Sequence, residues 1–205
     1  MTDWIVVLPV KQASRAKSRL GGGAALARAI ALDTIEAVAA CEAVAKVVVV
    51  TDDPELEAFV GGGGVVVMRD RAAAGPDAAI VQAMAELPAS APRAALLGDL
   101  PALHPHDLAE ALAAAAGVDR GVVADAEGTG STLVTASAGV AWASAFGADS
   151  FARHVALGCT ALEVPADSSL RRDVDTPAHL ASAGLLGLGR RTAAALRALA
   201  APSGR

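Results

Sequence analysis

The sequence predicts an α/β fold, a single domain in three layers with a mostly parallel sheet between helices. Three observations carry this. Short β-branched apolar runs alternate with longer alanine-rich stretches of helical composition, the pattern of strand, helix, strand repeated. The apolar runs are continuous rather than alternating, as in strands buried on both faces. With 205 residues and 54% hydrophobic side chains, the chain has enough apolar material for one sizeable core.

The strands are expected at 5–10, 47–51, 65–68, 94–97, 121–124, 133–135 and 161–164, where Val, Ile, Leu and Ala run together. Helical composition fills 24–41, 76–87, 105–116 and 151–157, and Pro76, Pro105 and Pro177 stand where a first helical turn tolerates proline. The glycines of 61–64 and the segment 88–92 read as surface turns. A domain over 1–189 is expected, followed by a tail over 190–205 that frays toward Pro202, Ser203 and Gly204. No internal repeat is visible.

A formal charge of −5, a pI near 5.3 and the lack of a basic block exclude a phosphate-backbone surface, so nucleic acid is not an expected partner. Cys41 and Cys159 are far apart and outside any CxxC spacing, which reads as two buried thiols in a reducing compartment. The first ten residues enter an apolar strand directly and lack the pattern of a signal peptide. No apolar run approaches the roughly 20 residues of a membrane span, so a cytoplasmic location is expected.

In a parallel sheet the ligand crevice lies beyond the carboxyl ends of the strands, so the residues following each strand carry the chemistry. Lys11, Arg15, Lys17 and Arg19 follow the first strand, four cations on a strand-to-helix loop that could hold a triphosphate. The loop matches neither G-x-x-x-x-G-K-[ST] nor G-x-G-x-x-G. Asp99 stands at the mouth of the strand at 94–97, with Gly98 before it and Pro101 after it. Such a carboxylate suits magnesium, which takes one or two carboxylates and completes its shell with phosphate and water. Asp173 and Asp175 precede Thr176 and Pro177, where a helix cap is the plainer explanation of Asp175. Gly128 to Thr132 (GTGST) offers free N–H groups and hydroxyls to a phosphate or carboxylate, although a glycine-rich hairpin would look the same. Gly147 and Ser150 add a second anion cradle at a helix start. His104, His106, His154 and His179 read as surface or packing residues, because none sits at catalytic spacing from Cys, Ser or a second His.

Taken in order, Leu8 to Lys11 (LPVK) with Ala16 to Leu20 (AKSRL), Gly98 to Leu103 (GDLPAL), Gly128 to Thr132 (GTGST), Phe146 to His154 (FGADSFARH) and Asp173 to Pro177 (DVDTP) resemble the guanylyltransferase family of coenzyme F-420 biosynthesis. The resemblance implies a Rossmann-like three-layer sandwich of the nucleotide-diphospho-sugar transferase (MobA-like) type. It implies joining of GTP to phosphoenolpyruvate or 2-phospho-L-lactate with release of pyrophosphate. It further implies Mg2+ on Asp99, Asp173 and Asp175, and the phosphorylated acid on Thr132, Gly147 and Ser150. The nucleotide would meet Lys11, Lys17, Arg19 and Asp77, with Asp99, Lys17 and Arg19 the catalytic set; a homodimer is compatible with this. The alanine- and glycine-rich composition is similar to that of actinobacteria, whose members of the family are associated with phosphoenolpyruvate. Local departures from the family's pattern are Ser131 for a second threonine, Ala148 for proline, and Gly75, Pro76 and Asp77 where a Leu-Asn pair often precedes the helix. Transfer of another nucleotide to a molybdopterin or sugar phosphate, and a non-catalytic nucleotide-binding module, are the competing readings.

Overall fold

A computed structural model describes residues 3–11, 22–60 and 64–201. Its centre is a seven-stranded sheet in the order β3-β2-β1-β4-β6-β5-β7. The strands are β1 (Trp4–Pro9), β2 (Val44–Thr51), β3 (Val65–Arg69), β4 (Arg93–Leu96), β5 (Arg120–Ala124), β6 (Ser131–Ala136) and β7 (Thr160–Ala161). The helices are α1 (Gly23–Ala39), α2 (Pro54–Val60), α3 (Pro76–Glu86), α4 (Pro105–Ala115), α5 (Ser150–Ala156), α6 (Pro177–Gly184) and α7 (Arg190–Ala200). β1 pairs in parallel with β2 and β4, β2 with β3, and β5 with β7, whereas β6 runs antiparallel to both its neighbours.

The continuous apolar runs have the predicted cause. In β1, Trp4, Val6 and Leu8 enter one core cluster and Ile5 and Val7 the other; Val47 and Val49 divide from Val48 and Val50 in β2 in the same way. One cluster is closed by α1 and α4 with Leu56 of α2, the other by α3 with Phe146 and Phe151 near α5. Burying each such side chain contributes roughly 1.5–3 kcal/mol. A third cluster packs Leu26 and Ile30 of α1 against Val174, Leu180 and Ala183, so α1 lies between the sheet and the C-terminal helices. Cys41 and Cys159 are buried and free.

Two elements correct the sequence reading. Pro54–Val60 is a helix where none was expected; its first turn is capped by Asp53 Oδ1, which accepts from the backbone N–H of Glu55 and Leu56. The expected tail is helical over Arg190–Ala200 and packs on α1. Buried Asp33 of α1 accepts from the N–H groups of Arg191 (3.1 Å) and Thr192 (2.7 Å), supplying a cap from far along the chain. Gly189 is needed at that junction, since a Cβ there would fall 2.3 Å from the Asp33 carboxylate carbon.

Candidate active site

The crevice opens where the chain leaves β1 toward β2 on one side while β4 lies on the other, the topological switch point of a doubly wound sheet. Gly98 allows these two strand ends to close up, for a Cβ there would lie 2.9 Å from Val10 Cγ2 and 3.3 Å from the Pro9 carbonyl. The result is a cleft of about 640 Å³, a size suited to small-molecule ligands. Lys11, Asp99, Asp125, Asp173, Asp175, Ser131, Gly147 and Ser150 are among the residues that line it.

Asp99 and the Asp173–Asp175 segment meet, although more than seventy residues separate them in sequence. The Val174 N–H donates to the Asp99 carbonyl at 3.0 Å, which sets the two carboxylate-bearing stretches side by side. The Asp99 turn is also tied to α1: Thr34 Oγ1 accepts from Leu100 N–H at 3.0 Å and donates to the Ile30 carbonyl at 2.9 Å. Pro177 and the Thr176 side chain, which accepts from His179 N–H, begin α6 directly behind Asp175. The cap is therefore Thr176, leaving the Asp175 carboxylate on the cleft.

Asp125 and Glu127 complete the acidic group, and the sequence reading did not single them out as metal ligands. Among the described residues, carboxylate oxygens of Asp125, Glu127 and Asp173 lie within 4.8 Å of one another. Burial, then the charges of Asp99, Asp175, Asp125 and Glu127, push the Asp173 carboxyl up to about 7. Asp173 Oδ1 is buried and has no hydrogen-bond partner among the described residues. A buried carboxylate oxygen facing four further carboxyl groups suits a hard divalent cation, and Mg2+ fits this donor set.

Asp125 has a second task. Its Oδ1 accepts from Thr129 N–H at 3.0 Å and its Oδ2 from Gly130 N–H at 2.7 Å, drawing the 125–130 loop into a tight turn. Gly128 adopts φ +77, and a Cβ on Gly130 would fall 2.3 Å from Asp125 Oδ2, so both glycines are required. The Arg171 guanidinium clamps the loop from outside by donating to the Asp125 carbonyl. The Phe151 N–H donates to the Thr129 carbonyl at 3.1 Å, joining the loop to the first turn of α5.

Of the residues expected to hold the acceptor acid, Gly147 and Ser150 line the cleft. Thr132 is fully buried behind the lining; its Oγ1 has no hydrogen-bond partner among the described residues, and its neighbour Ser131 faces the cavity instead. Asp77, read as nucleotide-binding, stands behind Pro76 of the lining, and its Oδ1 accepts from Ser144 Oγ (2.8 Å) and Phe146 N–H (3.0 Å). It fixes the stretch that leads to Gly147. Lys11 is exposed on the cleft rim. Lys17 and Arg19 lie outside the described residues.

The profile of the MobA-like NTP transferase domain matches residues 14–201. The chain is 47% identical to a phosphoenolpyruvate guanylyltransferase of Thermomonospora curvata over 93% of its own length and 87% of that protein's. It is also 47% identical to that of Streptomyces coelicolor (94% and 95%) and 46% identical to that of Salinispora arenicola (98% and 97%). Among solved structures, a nucleotidyl transferase from Methanothermobacter thermautotroptrophicus superposes with a TM-score of 0.65 at 17% identity, covering 97% of this chain and 100% of the other. A 4-diphosphocytidyl-2C-methyl-D-erythritol synthase gives 0.62 at 14% identity over 91% and 98%. These two likenesses are of fold.

Proposed function

The chain belongs to the MobA-like NTP transferase family, and from that premise we propose that it transfers the guanylyl group of GTP to phosphoenolpyruvate, releasing pyrophosphate and forming enolpyruvoyl-2-diphospho-5'-guanosine. The observation that supports the chemistry is that Asp99, Asp173 and Asp175 line one cleft together with Thr129, Gly130 and Gly147, with the Val174 N–H bonded to the Asp99 carbonyl. Relatives named for this activity, near 47% identical over more than nine-tenths of the chain, support the choice of nucleotide and acceptor. We further propose that the reaction serves coenzyme F-420 biosynthesis, in the cytoplasm. Among the described residues no helix is long and apolar enough to cross a membrane.

Both reactants are anions, so the main obstacle is mutual repulsion. Asp99, Asp173 and Asp175 would hold Mg2+, with Asp125 and Glu127 beside it, and the ion would supply the positive charge that offsets the phosphates. An acceptor phosphate oxygen attacks the α-phosphorus of GTP in line with the departing pyrophosphate. That phosphate is already ionised at neutral pH, so no side chain has to remove a proton. Lys11, Lys17 and Arg19 are assigned to the triphosphate, where positive charge favours the leaving group. Gly147 and Ser150, which line the cleft, are assigned to the acid, with Thr132 buried behind that lining; the constraint from Asp77 and the 125–130 turn keeps these loops in place before the substrate arrives.

Pyrophosphate release measured with each of four nucleoside triphosphates against phosphoenolpyruvate, 2-phospho-L-lactate, a molybdopterin and sugar phosphates tests the reading. GTP with phosphoenolpyruvate should give the highest kcat/KM. A preference for CTP or for a sugar phosphate would overturn it.

A further inference from the structure

His154 is fully buried, yet both its ring nitrogens are used. Nε2 accepts from the Ala145 backbone N–H at 2.9 Å, and Nδ1 lies 3.0 Å from Ser131 Oγ. A backbone amide can only donate, so Nε2 must be unprotonated, and the neutral ring then carries its hydrogen on Nδ1. Nδ1–H donates to Ser131 Oγ. Burial, against the opposing charge of Asp77 and a backbone hydrogen bond to Ser150 and with the Arg153 charge adding to it, brings the imidazole down to about 4, so no cation competes with this arrangement at neutral pH. The edge of Phe146, with ring centroids 4.8 Å apart, holds the imidazole on its other side.

Ser131 reaches His154 because of a register shift. Ala124 pairs with Ser131 but Val123 pairs with Leu133, so Thr132 is an extra residue in the ladder. That bulge turns Ser131 onto the face of the sheet where Val122, Phe146 and α5 pack, instead of the opposite one. Among the described residues Ser131 Oγ makes this one hydrogen bond, and it makes it as an acceptor. Its own hydrogen has no acceptor among the described residues, and Ser131 is one of the residues that line the cleft.

We propose that Ser131 is a further binding residue for the acceptor acid, donating its hydroxyl hydrogen to a phosphate or carboxylate oxygen, and that His154 is the positioning residue, which cannot accept that hydrogen and so leaves it for the acid. This rests on the guanylyltransferase reading and adds to it the group that recognises the acid. An anion lacks hydrogens to offer, so a hydroxyl able to donate to the ring instead would spend part of its time in the wrong orientation; a tautomer-locked imidazole behind it removes that alternative. Threonine at this position would keep the hydroxyl donor.

The test has two arms. In the first, Ser131→Ala should raise KM for phosphoenolpyruvate about tenfold, the size expected for one hydrogen bond to a charged group, while KM for GTP stays within about twofold. Ser131→Thr should restore most of the loss. His154→Phe should raise the same KM, and Ser131→Ala with His154→Phe together should be no worse than the poorer single variant, because the two act as one unit. In the second arm, two-bond 15N–1H correlation spectra of the wild-type protein should show His154 as the neutral ring with its hydrogen on Nδ1, a readout that stands even if His154→Phe fails to fold. An unchanged KM for phosphoenolpyruvate in Ser131→Ala, or a ring protonated at Nε2, overturns the proposal. If the wild-type protein transfers no guanylyl group to phosphoenolpyruvate, the functional reading fails by itself. Calorimetric binding of phosphoenolpyruvate to wild type and Ser131→Ala, together with the tautomer, then still decides this inference.

Discussion

Replacing Asp173 by Asn should make the metal-free protein more stable at alkaline pH while removing its metal-dependent activity. In the fold this carboxyl is held up to about 7 from an ordinary value of 3.8 by burial and by the carboxylates around it. Between those two values the native state keeps a proton that the unfolded chain has released, so the wild-type contribution of Asp173 to stability falls as pH rises and is constant above about 7. The difference corresponds to roughly 4 kcal/mol as an upper limit, because the residue retains some solvent contact. His154 works in the opposite direction. Its folded value of about 4 lies below 6.5, so the unfolded chain binds the extra proton and stability rises with pH across that interval. Urea unfolding of wild type and Asp173→Asn in EDTA, from pH 4 to 8, cancels the His154 contribution in the difference. The advantage of the variant should be near zero at pH 4 and grow to a few kcal/mol at pH 8. Saturating Mg2+ should reverse the order, since binding stabilises the wild type alone. A variant that is less stable than wild type at pH 8 in EDTA, or a difference that does not change with pH, would refute the reasoning.

Asp99→Asn should abolish turnover with an unfolding midpoint close to wild type, measured by pyrophosphate release and urea titration; near-normal turnover would remove Asp99 from the catalytic set. Gly130→Ala should cost several kcal/mol or displace the 125–130 turn, because the added carbon would meet Asp125 Oδ2 at 2.3 Å; a raised KM for phosphoenolpyruvate and a lower midpoint are the readouts. Asp33→Ala removes the cap of α7 and should lower stability by about 1–3 kcal/mol, with faster amide exchange confined mainly to 190–200.

The strands and the crevice were legible because the signals are local. A β-branched run such as Val47 to Val50 is buried on both faces and must be apolar throughout, and the residues that follow β1, β4 and β5 line the crevice, whereas those after β2 and β3 do not. Asp99 and Asp173 could be paired only through the order of motifs, yet the structure joins their segments as that order required. What stayed hidden depends on distant partners. The helix at Arg190–Ala200 follows a glycine-rich stretch and takes its cap from Asp33, so nothing in its own sequence ruled out a tail. The Asp53 and Pro54 signal for α2 was present but short. Glu127 and Asp125 face Asp173 only because the turn folds back on Asp125, and the presence of Ser131 rather than Thr132 on the cleft lining goes with a one-residue bulge that periodicity does not register.

Guanylyl transfer is read most directly from its product. Phosphorus NMR of the purified protein with GTP, phosphoenolpyruvate and Mg2+ should show two mutually coupled resonances of a mixed diphosphate ester growing in step with pyrophosphate, and neither should grow when Asp99→Asn replaces the wild type. Pyrophosphate without the coupled pair, or the coupled pair formed equally well by the variant, would contradict guanylyl transfer at this acidic cleft.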